Sequence, residues 1–174
     1  MKNKARTTAL LGVCISLAML LSYIEFLLPP IWSAVPGIKL GLTNIIVIYL
    51  LYRMGVSYAA AVSLLRVFLS ALLFGSVMTL IYSLSGAVLS LLVMALLRRT
   101  DRFSEIGVSI AGAVSHNLGQ ILAAAVILAT REIGYYMIVL AFTGTVAGIF
   151  VGLCASMLLK YLKPRKDERA AEHK

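Results

Sequence analysis

The chain has 174 residues, of which 61% are hydrophobic and 13% charged, with a formal net charge of +9. Its mean hydropathy of +0.97 excludes a soluble domain, for which about 45 to 50% apolar residues are usual, and indicates an integral membrane protein. The basic residues sit at the ends of apolar runs without interleaved aromatic residues, so they read as topology signals rather than a nucleic-acid surface.

A membrane span needs about 20 apolar residues. By that rule and by its charges and Gly/Pro clusters, the chain divides into six spans near 7 to 28, 42 to 54, 56 to 74, 77 to 97, 106 to 129 and 135 to 161. The first run has no small-residue cleavage site, so no removed leader is expected. It carries Ala5, Ala9 and Gly12 among small residues near its start. Such patterns let helices approach closely, within one protein or against a partner membrane subunit. Cys14 and Cys154 lie in apolar runs, with neither disulfide nor metal-ligand spacing.

Between the first two spans, Pro36-Gly37-Ile38-Lys39-Leu40-Gly41-Leu42-Thr43-Asn44 cannot continue a helix. Non-helical backbone survives at membrane depth only where protein or cavity water satisfies it, which makes this segment a candidate binding site. Asn44 falls in the first turn of a second helix too short to cross alone, and helix N-terminal N–H groups favour anions. Lys39 either meets an anionic group there or reaches to the outer interface beside Trp32. Arg53-Met54-Gly55 reads as a tight helical hairpin leading to the third span.

In the middle of the third span stands Arg66. A cation at that depth costs about 2.5 to 3.5 kcal/mol on insertion scales, so it must face the protein interior. It meets either Glu25, the only carboxylate within the spans, or an anionic ligand. On the fifth span Gly112, His116 and Gln120 recur at intervals of four with Asn117 beside them, forming a polar edge. Gly107, Ala111, Ser115, Gly119 and Ala123 form a strip of small residues read as its packing edge, and Gly144, Gly148, Gly152 and Ser156 repeat the pattern on the sixth span.

Lys2, Lys4, Arg6, Arg53, Arg98, Arg99, Arg102 and the basic residues from Lys160 onward all fall on one side of a six-span chain, leaving Lys39 and Arg131 on the other. Both termini are therefore expected in the cytoplasm. Residues 1–163 form one six-helix domain, followed by a charged tail at 164–174. Metal-assisted prenyl transfer needs clustered carboxylates, and Glu25 stands alone in the spans, so no metal, no cofactor and no enzymatic activity are expected. The third possibility is a structural membrane protein whose polar groups pair internally.

The motifs Pro36–Asn44, Arg66–Gly75 and Ser115-His-Asn-Leu-Gly-Gln120 resemble those of the bacterial Gx transporter family, whose members are often labelled heptaprenyl diphosphate synthase component I. The resemblance covers nearly all of residues 5–162. That family is similar to the S components of energy-coupling factor (ECF) transporters, which bind substrate within six transmembrane helices. The resemblance implies an all-α, S-component-like fold in the bacterial cytoplasmic membrane, binding a small substrate and joining a transmembrane coupling protein with paired ATPases. Docking would run through Ala5 and Ala9, and ATP hydrolysis through the partners, because the chain has no P-loop motif. Lys39, Asn44, Arg66, His116, Asn117 and Gln120 are the candidate substrate ligands. The synthase label instead implies a non-catalytic membrane component in isoprenoid or menaquinone synthesis.

Overall fold

The computed structural model describes residues 2–27, 41–128 and 133–162. These form six helices: α1 (Lys2–Leu27), α2 (Asn44–Arg53), α3 (Val56–Phe74), α4 (Val77–Arg99), α5 (Glu105–Leu128) and α6 (Ile133–Tyr161). Five are long and apolar enough to cross a membrane; α2, with 10 residues, is not. The fold is all-α and membrane-type among the described residues, as the sequence predicts. Helix α1 begins at Lys2, earlier than the hydropathy suggests, so Ala5 and Ala9 lie within its first turns.

Helix α2 is too short to cross the bilayer, and its ends need protein around them to satisfy their backbone groups. Ile46, Val47, Ile48, Tyr49, Leu50 and Leu51 are all buried. The helix packs against α1, α3, α5 and α6, while α4 rests on α3 and α5. Cys14 and Ala18 of α1, Ala59 and Val62 of α3, and Val151, Ala155 and Leu159 of α6 complete the core around it. At its end, the Arg98 guanidinium lies over the Tyr52 ring at 5.3 Å and donates toward the Tyr52 carbonyl at 3.5 Å. The basic ends of α2 and α4 therefore meet at one end of the bundle. Gly55, with φ of 103°, makes the α2–α3 hairpin in a conformation that side chains disfavour.

The glycines of α6 behave as the sequence predicts. A Cβ at Gly148 would lie 2.7 Å from the Ile110 Cα, and one at Gly152 would lie 3.0 Å from the Ile106 Cα, so bare backbone sets the α5–α6 approach. On α5 the packing is rotated from the expected strip. Gly119 meets α4 closely, 2.6 Å from the Ser85 carbonyl to its constructed Cβ, whereas Gly107, Ala111, Ser115 and Ala123 are only half-buried. The reason is that α5 sits between α4 and α6, with extensive contact on both flanks. Its fully covered rows are Gly112–His116–Gln120 and Ser109–Ala113–Asn117. Ser90 donates to the Gly112 carbonyl and Ser109 to the Gly148 carbonyl, each at 2.8 Å, tying α5 to both neighbours.

Candidate functional site

Polar side chains concentrate where α1, α3 and α5 surround the entry to α2. Buried there are Ser22 and Glu25 on α1, Thr43 and Asn44 at the head of α2, Ser63, Arg66 and Ser70 on α3, and His116 and Gln120 on α5. Spacing explains each set. Ser22 and Glu25 are three residues apart, and Ser63, Arg66 and Ser70 follow at three and four, so each set shares one helical face.

The broken backbone finds its partner in Glu25. Its Oε1 accepts the Gly41 N–H at 2.6 Å and the Leu42 N–H at 2.8 Å. Gly41 is buried with φ of 84°, a conformation that aims successive N–H groups at one anion. The Gly41 carbonyl in turn accepts the Asn44 N–H at 2.9 Å, starting α2. The anion at the head of α2 is thus the protein's own carboxylate. This use of Glu25 escaped the sequence reading, which weighed it only as a partner for Arg66. A lone intramembrane acid and a glycine break that needs acceptors were the available signals.

Arg66 is 2% exposed, and its Nε and Nη2 have no hydrogen-bond partner among the described residues. It interacts with Glu25 through charge. The register of α1 on α3 accounts for the separation. Ser70 Oγ donates to Met19 Sδ at 3.7 Å, and Phe74 packs on Tyr23 and Phe26 with ring centroids 5.6 and 5.2 Å apart. Glu25 is therefore level with Phe74, eight residues beyond Arg66, which corresponds to about 12 Å of helix rise.

His116 joins α5 to this region. Its Cδ2 lies 3.9 Å from the position of a Cβ on Gly41, and its Nε2 is 2.6 Å from Gln120 Nε2, a hydrogen bond whose direction depends on the imidazole tautomer and amide orientation. A Cβ on Gly86 would fall 3.0 Å from the His116 Cε1, so that glycine makes room for the imidazole between α4 and α5. Asn44 Nδ2, Thr43 Oγ1 and Ser22 Oγ are buried without a hydrogen-bond partner among the described residues.

The structure thus gathers Glu25, Asn44, His116 and Gln120 around Gly41, with Arg66 linked to them through the Glu25 charge. It places Asn117 elsewhere, against α6, where a Cβ on Gly144 would lie 2.7 Å from its Nδ2. Neighbouring positions on a helix point about 100° apart, which separates Asn117 from His116. Lys39 lies outside the described residues, as do Pro36, Gly37, Trp32, Arg131 and the tail at 164–174. Ser22, Thr43, Ser63 and Ser70 were not singled out from the sequence. Their three- and four-residue spacing to Glu25 and Arg66 was the signal.

Away from this site, Ala5, Ala9 and Gly12 are exposed on α1, and a Cβ on Gly12 would meet nothing within 4 Å.

The sequence pattern of the family described as heptaprenyl diphosphate synthase component I matches residues 14–158. The chain belongs to that family. The match spans α2 to α5 whole and takes in Glu25, Asn44, Arg66 and His116. No curated protein and no solved structure matches the chain.

Proposed function

We propose that this member of the heptaprenyl diphosphate synthase component I family is the membrane-embedded, substrate-binding subunit of a transporter. Its substrate is a small anionic metabolite, a vitamin or an isoprenoid-related precursor. The observation that carries this reading is Arg66, a fully buried cation with Nε and Nη2 lacking hydrogen-bond partners among the described residues. A charge at that depth is costly, and a protein that needed only a packed core would be more stable with an apolar residue there. A ligand that arrives and leaves explains both the cation and its open hydrogen-bonding edge. Asn44, His116 and Gln120 supply neutral hydrogen bonds, with Asn117 and Lys39 as further candidates.

The chain is read as lying in the bacterial cytoplasmic membrane with both termini inside, because its basic residues collect at alternate helix ends. It acts on no covalent bond. Energy comes from a transmembrane coupling protein and ATPases, docked along the exposed face of α1 that carries Ala5, Ala9 and Gly12. Small residues there allow a partner helix to approach closely.

The family's description favours a second reading, a non-catalytic membrane component that holds a soluble prenyl diphosphate synthase through the basic cytoplasmic ends. Affinity purification from gently solubilised native membranes separates the two. A coupling protein with ATPases supports the transporter subunit, and a soluble prenyl synthase in their place contradicts it.

A further inference from the structure

Among the described residues the buried charged side chains are Arg66 and Glu25. The two balance, and Glu25 is already bonded through Oε1 to the Gly41 and Leu42 N–H groups, beside the partial positive charge at the head of α2. Arg66 and its polar neighbours at the head of α2 keep donor capacity in reserve. Arg66 Nε and Nη2, Asn44 Nδ2, Thr43 Oγ1 and Ser22 Oγ are all groups able to donate, buried and without hydrogen-bond partners among the described residues. A ligand that satisfies them must be rich in acceptors.

The two Arg66 atoms define the acceptor's shape. Nε and Nη2 share one edge of the guanidinium plane, and their N–H bonds run parallel, the fork that receives two oxygens of one carboxylate or phosphate. Charge chooses between these oxyanions. Among the described residues, a single negative charge on Arg66 leaves the site with one surplus charge, which the head of α2 and the surrounding donors offset. A phosphate monoester or diphosphate brings two or more, within reach of the Glu25 charge that Arg66 already senses and in a low-dielectric interior where like charges repel strongly.

Resting on the substrate-binding reading above, we infer that the site takes a monocarboxylate, seated in two hydrogen bonds on the Nε–Nη2 edge of Arg66. Asn44, Thr43 and Ser22 meet neutral acceptors on the same ligand. Diphosphates, including prenyl diphosphates, are excluded from this seat. The residue must be arginine, because a lysine ammonium keeps the charge but lacks the planar fork.

The test uses the full chain and its Arg66→Met and Arg66→Lys variants, purified in mild detergent from native-type membranes. Small molecules released by solvent are identified by mass spectrometry before and after methyl esterification, and their phosphorus is measured. The expected result is a species near one per wild-type chain that gains one methyl ester, contains no phosphorus and is depleted at least tenfold in both variants. A species that both variants lose, but that contains phosphate or gains two or more esters, overturns the monocarboxylate while leaving the substrate-binding reading standing. Equal retention by the wild type and the variants overturns the Arg66 seat. A wild-type protein carrying lipid alone overturns both readings. If Arg66→Met does not yield a folded protein by gel filtration, Arg66→Lys decides.

Discussion

Glu25 on α1 accepts the Gly41 N–H at 2.6 Å and so closes the backbone break that leads into α2. With the Leu42 N–H at 2.8 Å, this carboxylate is the anchor between the first helix and the central one. Hydrogen bonds to a charged group each contribute about 1.5 to 3 kcal/mol. Removing the carboxylate also leaves Arg66 without its balancing charge. Glu25→Ala is expected to destabilise the protein by about 3 to 5 kcal/mol. Glu25→Gln keeps an acceptor for the same N–H groups but loses the charge that balances Arg66, so it is expected to cost less than Glu25→Ala without matching wild type. Unfolding in detergent micelles followed by circular dichroism measures both, and equal stability of wild type and Glu25→Ala would contradict the anchor.

Gly41 and Gly12 separate backbone need from open surface. Gly41 has φ of 84°, and a Cβ there would lie 3.1 Å from Asn44 Nδ2. Gly41→Ala therefore loses about 1 to 2 kcal/mol from the left-handed conformation alone. Gly12→Ala meets nothing within 4 Å and is expected to hold stability or raise it by up to about 1 kcal/mol, since glycine disfavours a helix interior. The same melting experiment compares them, and a larger loss at Gly12 would refute the assignment of that face as open.

The exposed α1 face gives a prediction about assembly. Gly12→Leu fills the path of a partner helix without touching the protein's own core. The variant is expected to melt like wild type and to lose co-purifying membrane partners by tenfold or more. Retention of the partners at wild-type yield would move the docking surface elsewhere.

Close packing of α5 on α6 depends on Gly148, whose constructed Cβ approaches the Ile110 Cα to 2.7 Å. Backbone cannot give way as a flexible side chain does. Gly148→Val is expected to cost about 1 to 3 kcal/mol. Gly107→Ala, at 3.5 Å from the Ser104 hydroxyl, makes an ordinary contact and changes little. The opposite order of stabilities would restore the Gly107–Ala123 strip as the main packing edge.

The span pattern was legible in the sequence because apolar length and terminal charge act locally. Even the shortness of α2 followed from Gly41 on one side and Arg53-Met54-Gly55 on the other. The burial of Arg66 was equally legible, since the cost of a mid-span cation leaves it nowhere else to go. Two things were not. The packed faces of α5 depend on its having neighbours on both flanks, a fact of three dimensions that a small-residue strip does not encode. The bond from Glu25 to Gly41 depends on the register of α1 against α3, fixed by Met19 with Ser70 and by Tyr23 and Phe26 with Phe74. Those contacts bridge about fifty residues of chain, beyond the reach of periodicity.

The most direct measurement is native mass spectrometry of the intact protein released from detergent, wild type beside Arg66→Met. Substrate binding at Arg66 predicts a wild-type peak displaced by one small molecule per chain and an Arg66→Met peak at the mass of the bare, folded polypeptide. The same adduct at the same occupancy on both proteins would contradict it.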